Sequence, residues 1–327
     1  MEVNTSAVVD VVTPTNRSGE FMREATASVF GQSHAHWSYV IVDNGSPDPA
    51  ALADAVEAAV GATSDPHHSR SRVTIERIQT RGISAGRNHG VTQGTGDYVA
   101  FLDDDDFWDP DYLEEMVAAL EAEPDAVAAY AAGRFVDEAG VPFGEWKAEP
   151  ASRAEMLRGE QPFPHIPAFV VRRRSAERVG WFDESLHRAE DMEFMCRLLI
   201  EGEFVAVPRV LVHYRRHVGA ETVRSDAIRV TWEASERFLS RHILDARDRG
   251  DSDVAGHLIE NRRRARRMFA AHEAGKVLRA HRTPRELGEV WKSIRQAMTL
   301  DPIGFLASLF GQAGGRIRNR VAAVTGR

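Results

Sequence analysis

Four short apolar runs constrain this chain more than any other feature: AVVDVVT (7–13), YVIVDN (39–44), RVTIERI (72–78) and YVAFLD (98–103). Each is rich in β-branched residues and ends in turn or charged residues, so each reads as a strand of a parallel sheet. Amphipathic stretches separate them. SGEFMREATASVFGQ sets Phe21, Met22, Ala25 and Val29 at helical spacing behind Ser18 as N-cap, and SAGRNHGVTQG forms a short helix between the third and fourth runs. DPDYLEEMVAALEAEP then places Leu113, Met116, Val117 and Leu120 on one helix face. Strands alternating with helices imply right-handed crossovers and a mostly parallel sheet flanked by helices. Ligands of such sheets bind beyond the carboxyl ends of the strands. Asp43, Arg87 with Asn88, and Asp103 to Asp106 fall at or near those ends, so three polar clusters are expected on one rim.

The 327 residues exceed a typical single core, which predicts one large domain with an appendage. Charge marks the boundary. The net charge of −8 conceals a basic stretch from 225 to 327, with 20 Lys+Arg against 12 Asp+Glu, behind an acidic front with 21 against 37. The back reads as helical throughout: TWEASERFLSRHILDARDR, NRRRARRMFAAHEAGKVLRAH, TPRELGEVWKSIRQAMTL, and a last helix that begins at Pro302 and is interrupted by Gly314 and Gly315. A single cysteine, Cys196, excludes an intramolecular disulfide framework. The N-terminus MEVNTSAVVDVVTP lacks a secretory signal, and no run of 18 apolar residues occurs. A cytoplasmic protein is expected, peripheral at most to the inner face of a membrane.

FLDDDD (101–106) places four carboxylates behind an apolar run. Carboxylates this close resist full ionisation, and a cation resolves the conflict. The spacing does not fit an EF-hand loop, whereas Mg²⁺ or Mn²⁺ held by one or two carboxylates and completed by phosphate oxygens suits it. The alternative is a solvated acidic cluster at the N-terminus of the following helix.

PTN (14–16), VDNGSPD (42–48), GISAGRNHG (82–90) and FLDDDD (101–106), in this order, resemble the motifs of family 2 glycosyltransferases of the GT-A fold. AFVVRRRSAERVGWFDESL (168–186), AEDMEFMCRL (189–198) and VPRVLVHYRRH (207–217) extend the resemblance over about residues 5–220. It implies a Rossmann-like GT-A domain at 1–220, with a nucleotide-sugar half (1–106) and an acceptor half (107–220), followed by a basic helical region at 221–327. It also implies transfer of a sugar from a nucleotide-diphosphate sugar, UDP being favoured, to a carbohydrate, polyol-phosphate or lipid-linked acceptor, as in synthesis of bacterial surface polysaccharides.

The resemblance assigns base recognition to Asp43 with Thr13 and Pro14, and extends the donor site to Asn16, Arg87 and Asn88. Asp43-Asn44-Gly45 alone also reads as a turn, and Arg87 alone as a solvated helix residue. In the pattern L-D-x-D-D the first aspartate faces the ribose and the second holds the metal. Asp104 makes the register ambiguous by one residue. The expected assignment is Asp105 for metal, Asp103 for ribose or a metal-bound water, Asp104 at the donor, and Asp106 in support.

Glu190-Asp191 matches the ED motif at the start of a helix whose Met192, Met195, Cys196 and Leu199 face a core. Asp191 is the expected general base, and a single in-line displacement inverts the anomeric centre. Glu190 orients or caps, while the bland alternative makes both ordinary helix-N-terminal acids. Tyr214, Arg215 and His217 match a Y-R-x-H signature, with Arg215 or His217 at the diphosphate or metal, or simply structural. His165 could meet the acceptor or merely be exposed.

Two rival classes remain at this level: a metal-dependent nucleotidyltransferase and a non-catalytic nucleotide-sugar binder. The basic tail, with Phe305, Leu306, Leu309 and Phe310 as an apolar face, could touch a membrane, a phosphate-bearing acceptor or a second copy of the chain. No nucleic-acid recognition module is recognisable.

Overall fold

The computed structural model describes residues 7–64, 66–80, 82–217, 227–279 and 294–295. The chain divides into two compact units, Met1–Arg224 and Ser225–Arg327. In order, the elements are β1 (Val9–Thr15), α1 (Glu20–Phe30), β2 (Trp37–Asp43), α2 (Pro49–Gly61), α3 (Pro66–Ser71), β3 (Val73–Arg77), α4 (Ile83–Val91), β4 (Tyr98–Phe101), β5 (Phe107–Trp108), α5 (Tyr112–Ala122), β6 (Ala128–Val136), β7 (Pro142–Trp146), α6 (Arg153–Leu157), β8 (Phe169–Arg172), α7 (Arg173–Val179), α8 (Glu190–Glu201), β9 (Phe204–Arg215), α9 (Ala227–Asp248) and α10 (Ser252–Arg279).

The strands form one sheet in the order β3-β2-β1-β4-β8-β6-β9-β5, with β7 paired to β6. The first four run parallel, as their pattern predicts. Beyond them the sheet becomes mixed. β8 is antiparallel to both β4 and β6, and these two reversals return β6 to the direction of β4. β9 runs parallel to β6, so the carboxyl ends of β1, β2, β4, β6 and β9 share one rim, joined there by the amino end of β8.

β1 is buried at all seven positions, because helices cover both faces of a parallel sheet. On one of those faces α4 approaches β1 so closely that a Cβ on Gly86 would lie 2.8 Å from the Pro14 side chain, and one on Gly90 would strike Val12. The two glycines, one turn apart, let a charged helix lie directly on the sheet. β9 bulges at Pro208 and Arg209: Val207 pairs with Ala131, and the next partner, Val210, pairs with Ala132. Proline has no N–H to donate to the ladder, which is a physical reason for the slip.

Several local expectations change. The residue before α1 is Gly19, at φ 118° and without a side-chain cap, so Ser18 is not the N-cap. Met22, Ala25 and Val29 are buried, but Phe21 is only half-buried and faces Arg215 and His217. In α8 the apolar core residues are Phe194, Met195, Cys196, Leu198 and Leu199, whereas Met192 is half-exposed. The helices α2 and α3 had no counterpart in the strand-based reading. Asp48, which accepts from the Ala51 amide at 3.0 Å, and Pro49 behind it are the start signal for α2.

In the second unit, α9 and α10 form a helical hairpin through a turn containing Gly250 at φ 74°. Phe238, Leu239 and Ile243 of α9 and Val254, Leu258 and Phe269 of α10 are buried. Trp232 stacks on Phe269 at 4.3 Å. No helix among the described residues is long and apolar enough to cross a membrane. Most of the TPRELGEVWKSIRQAMTL segment, and the stretch containing Phe305, Leu306, Leu309, Phe310, Gly314 and Gly315, lie outside the described residues.

Candidate active site

The four aspartates after β4 diverge from a tight turn, closed by the Asp106 amide on the Asp103 carbonyl at 3.2 Å. Each meets a different element. Asp103 accepts from Arg87 of α4 at 2.9 Å, and Asp104 accepts from the Thr15 hydroxyl at the end of β1 at 2.5 Å. Asp105 Oδ2 lies 2.9 Å from Arg17 Nη1 and 2.8 Å from His217 Nε2. Asp106 accepts the Arg215 backbone N–H at 2.7 Å, while its second oxygen is buried without a hydrogen-bond partner.

This crowding leaves its mark on the acids. Burial, reinforced by neighbouring carboxylates, pushes Asp104 up to about 7 and holds Asp106 well above the ordinary carboxylate value. Burial also raises Asp103, against the pull of Arg87. Arg17 is stabilised in return: burial opposes its charge, but Asp104, Asp105 and Asp103 outweigh that and raise its pKa.

Arg87 joins the turn to α8. Its side chain is 1% exposed, and it donates to Asp103 at 2.9 Å and to Glu190 at 3.0 Å, while its Nε has no partner. It is therefore a buried bridge rather than a solvated face residue. Burial opposes its charge, but Asp103, Glu190 and Asp191 raise its pKa. The same burial lifts Glu190 and Asp191, with Arg87 pulling both back. Glu190 thus binds Arg87 instead of capping α8. Before it stands Ala189 at φ 59°, the one non-glycine with positive φ among the described residues. That left-handed turn sets the direction in which the chain enters the acid pair. Asp191 is half-buried and accepts from the Met192 amide at 2.8 Å.

Across the rim, Asp43 is buried and fully occupied. It accepts from the Gly45 and Ser46 amides at 3.1 and 2.7 Å, from the Ser46 hydroxyl at 2.9 Å, and from Arg77 at 3.1 Å. The turn geometry is real, and the carboxylate sits at the end of β2 as expected. Its partner on β1 is Thr15. Thr13 lies two residues below, fully buried and bonded to the Tyr39 hydroxyl at 3.0 Å, so it does not reach the rim. Pro14 packs against α4 at Gly86, and Asn16 is exposed in the turn after β1. Asn88 ties α4 to the 182–184 loop, bonding the Phe182 backbone at both ends of its amide and Glu184 at 2.9 Å.

The end of β9 closes the other side. Arg215 is buried and donates to the backbone of Asp105, Asp137 and Glu138 and to the Glu24 carboxylate. His217 meets Asp105, and Tyr214 turns toward Phe135, Trp146 and His165. Burial lowers His165 to about 4, so it is a packed neutral ring and not an exposed loop residue. Sequence reasoning missed Arg17, Thr15, Phe21 and Glu24. Arg17 directly follows the PTN motif, which was the available signal.

Asp105 Oδ2 and His217 Nε2 lie 2.8 Å apart, and Arg17 Nη1 stands 2.9 Å from the first and 3.2 Å from the second, so the guanidinium holds the place where a cation would meet both donors. Among the described residues no three His, Cys, Asp or Glu side chains converge into a complete ligand set. A divalent cation at this place would have to displace Arg17 and take most of its ligands from phosphate or water.

The family model of glycosyl transferase family 2 matches residues 10–180, and that of glycosyl transferase family group 2 matches 98–280. The O-antigen biosynthesis protein RfbC of Myxococcus xanthus is 28% identical over 72% of this chain, which covers 18% of that protein. The uncharacterised y4gI of Sinorhizobium fredii is likewise covered over only 26% of its length. The amylovoran biosynthesis glycosyltransferase AmsB of Erwinia amylovora is 29% identical, over 62% of this chain and 68% of its own. Among solved structures, S. aureus TarS 1-349 in complex with UDP-GlcNAc superposes with a TM-score of 0.68 at 16% identity, covering 94% of this chain and 92% of that one. The fold is therefore of the GT-A type seen in TarS, and the chain belongs to glycosyl transferase family 2.

Proposed function

We propose that this protein is an inverting glycosyltransferase that moves a sugar from a nucleotide-diphosphate sugar, UDP-linked for preference, to an acceptor hydroxyl in bacterial polysaccharide or glycoconjugate synthesis. The observation that carries the reading is the Arg87 bridge, which brings two separate acid motifs together: Asp103 at 2.9 Å and Glu190 at 3.0 Å. A donor bound along the aspartate turn would then lie beside the acid pair at the head of α8. The names of RfbC and AmsB support a role in polysaccharide synthesis, and the UDP-GlcNAc complex of TarS supports the donor class.

In this reading Asp191 accepts the proton of the attacking hydroxyl, its raised pKa bringing it closer to the operating pH. Glu190 and Arg87 hold it in place. Pro14, Asn16, the turn tied by Asn88 and the 45–46 turn that Asp43 holds form the nucleotide end; Asp103 and Asp104 face the ribose and diphosphate. Asp105 and His217 would hold a divalent cation, with Asp106, Tyr214 and Arg215 supporting that end. Such a cation supplies neutralisation of the nucleoside diphosphate as it leaves. Residues 1–220 form the transferase domain and 221–327 an accessory region for membrane, acceptor or self-association.

The test is nucleoside diphosphate release from a panel of UDP, GDP and dTDP sugars, with and without Mn²⁺, for wild type and Asp105→Ala. Release from one donor that requires both the metal and Asp105 is expected. Calorimetry that detects no nucleotide binding with metal present would sink the reading.

A further inference from the structure

The rim has a second half that the donor reading touches only at Tyr214. Where β1, β2 and β4 end in acids and their partners, β6 and β9 end in rings. Phe135 and Tyr214 are register partners in the parallel β6/β9 pair, with centroids 6.1 Å apart. Trp146 of β7 lies 5.2 Å from Phe135, and His165 lies 4.8 Å from Trp146 and 4.9 Å from Tyr214. Phe143 extends the row outward, stacked at 6.2 Å from Phe135 and 62% exposed.

This row is built rather than incidental. A Cβ on Gly133 would lie 2.2 Å from the Trp146 ring, so the glycine leaves the space that the indole occupies. The indole N–H is anchored on the Ala131 carbonyl at 3.2 Å, leaving a half-exposed ring fixed in orientation. Cationic and polar groups interleave with the rings: the Arg216 guanidinium stands 5.0 Å over both Phe135 and Tyr214, and His165 is held neutral between two rings. The shelf and the aspartate turn meet at the carboxyl end of β9, where the backbone N–H of Arg215, next to Tyr214, is bonded to Asp106.

We propose that the shelf formed by Phe135, Phe143, Trp146, His165 and Tyr214, with Arg216, is the acceptor subsite, and that it takes a saccharide ring. The inference rests on the donor reading above. A pyranose presents an apolar C–H face to an aromatic ring and hydroxyls at its edge, which matches fixed rings edged by an imidazole, a guanidinium and a phenol. A purely apolar partner would leave those edge groups without a role. The sheet order also separates the two ends: β2 lies on one side of β4 and the β6/β9 pair on the other, so the nucleotide and the acceptor sugar approach the turn from opposite directions.

The experiment is a glycan microarray probed with the full chain, with UDP, GDP or dTDP and Mn²⁺ present, using wild type, Trp146→Ala and Phe143→Ser. Phe143 is exposed, so its replacement leaves folding intact even if the Trp146 variant is unstable. Nucleotide affinity is measured by calorimetry on the same preparations. The expected result is wild-type binding to at least one saccharide, reduced at least tenfold in both variants, at unchanged nucleotide affinity. Saccharide binding that survives both substitutions, or its absence in a wild type that binds nucleotide, would overturn the shelf and leave the donor reading standing. Absence of nucleotide binding would overturn the donor reading, and the proposal with it.

Discussion

Two buried arginine networks in the same domain use the same ingredients to opposite ends. Arg173, at the start of α7, donates to the buried Asp10 of β1 at 2.6 Å, to the Gly96 carbonyl at 2.7 Å and to the Val91 carbonyl at 3.0 Å. Asp10 also accepts from the Ser38 hydroxyl at 2.5 Å and the Gly96 amide at 2.7 Å. Arg87, at the carboxyl rim, serves two acids and keeps an unpartnered Nε, and in the same aspartate turn that it binds at Asp103 one Asp106 oxygen is buried without a partner. Its acids are raised by burial. The first network is complete and staples β1 to α7 and the 94–97 loop. The second is left short of partners, as a site built to receive a ligand would be.

The largest effect should come from breaking the complete network. Arg173→Met strands a buried carboxylate and is expected to cost about 3–5 kcal/mol in urea unfolding, while nucleoside diphosphate release per folded molecule stays unchanged. Arg87→Met should invert this pattern. Release is expected to fall about 100-fold or more, by analogy with loss of one preorganised electrostatic group. The stability loss should be smaller than for Arg173→Met, because Asp103 and Glu190 are already raised and can take up protons. Equal stability losses in the two variants would erase the distinction.

A pH titration sharpens the comparison at the aromatic end of the rim. His165 is lowered by burial from 6.5 to about 4, so between those values the unfolded chain binds the extra proton. Stability is therefore retained above pH 6.5 and lost as pH falls toward 4, by up to about 3 kcal/mol. His165→Phe should flatten that acid limb in chemical denaturation between pH 7 and 4. The smallest effect concerns the strain before the acid pair. Ala189→Gly relieves the left-handed backbone at a cost in chain entropy, for a net gain of about 0.5 kcal/mol. It is also expected to lower turnover by loosening Asp191, and a thermal melt beside a rate assay would separate the two.

Much of this domain was legible beforehand. The four front strands, the core face of α5 and the placement of Asp43, Arg87 and the aspartate turn at one rim follow from periodicity and from where each apolar run stops. Several misreadings share one cause. Phe21 and Met192 sit at core spacing, and Thr13 directly precedes the PTN motif, yet position along an element names a face and not what that face meets.

What the sequence by itself determined is the alternation of strand and helix, the acidic rim and the family motifs, because each is encoded in residues close together along the chain. Only the tertiary structure decided that Arg87 bridges Asp103 to Glu190, that Arg17 and His217 share Asp105, and that β8 reverses the sheet to bring an aromatic shelf beside the acids. Those contacts join residues up to 200 positions apart, and a side chain's type states what it can bond while only the folded backbone decides which partner comes within reach.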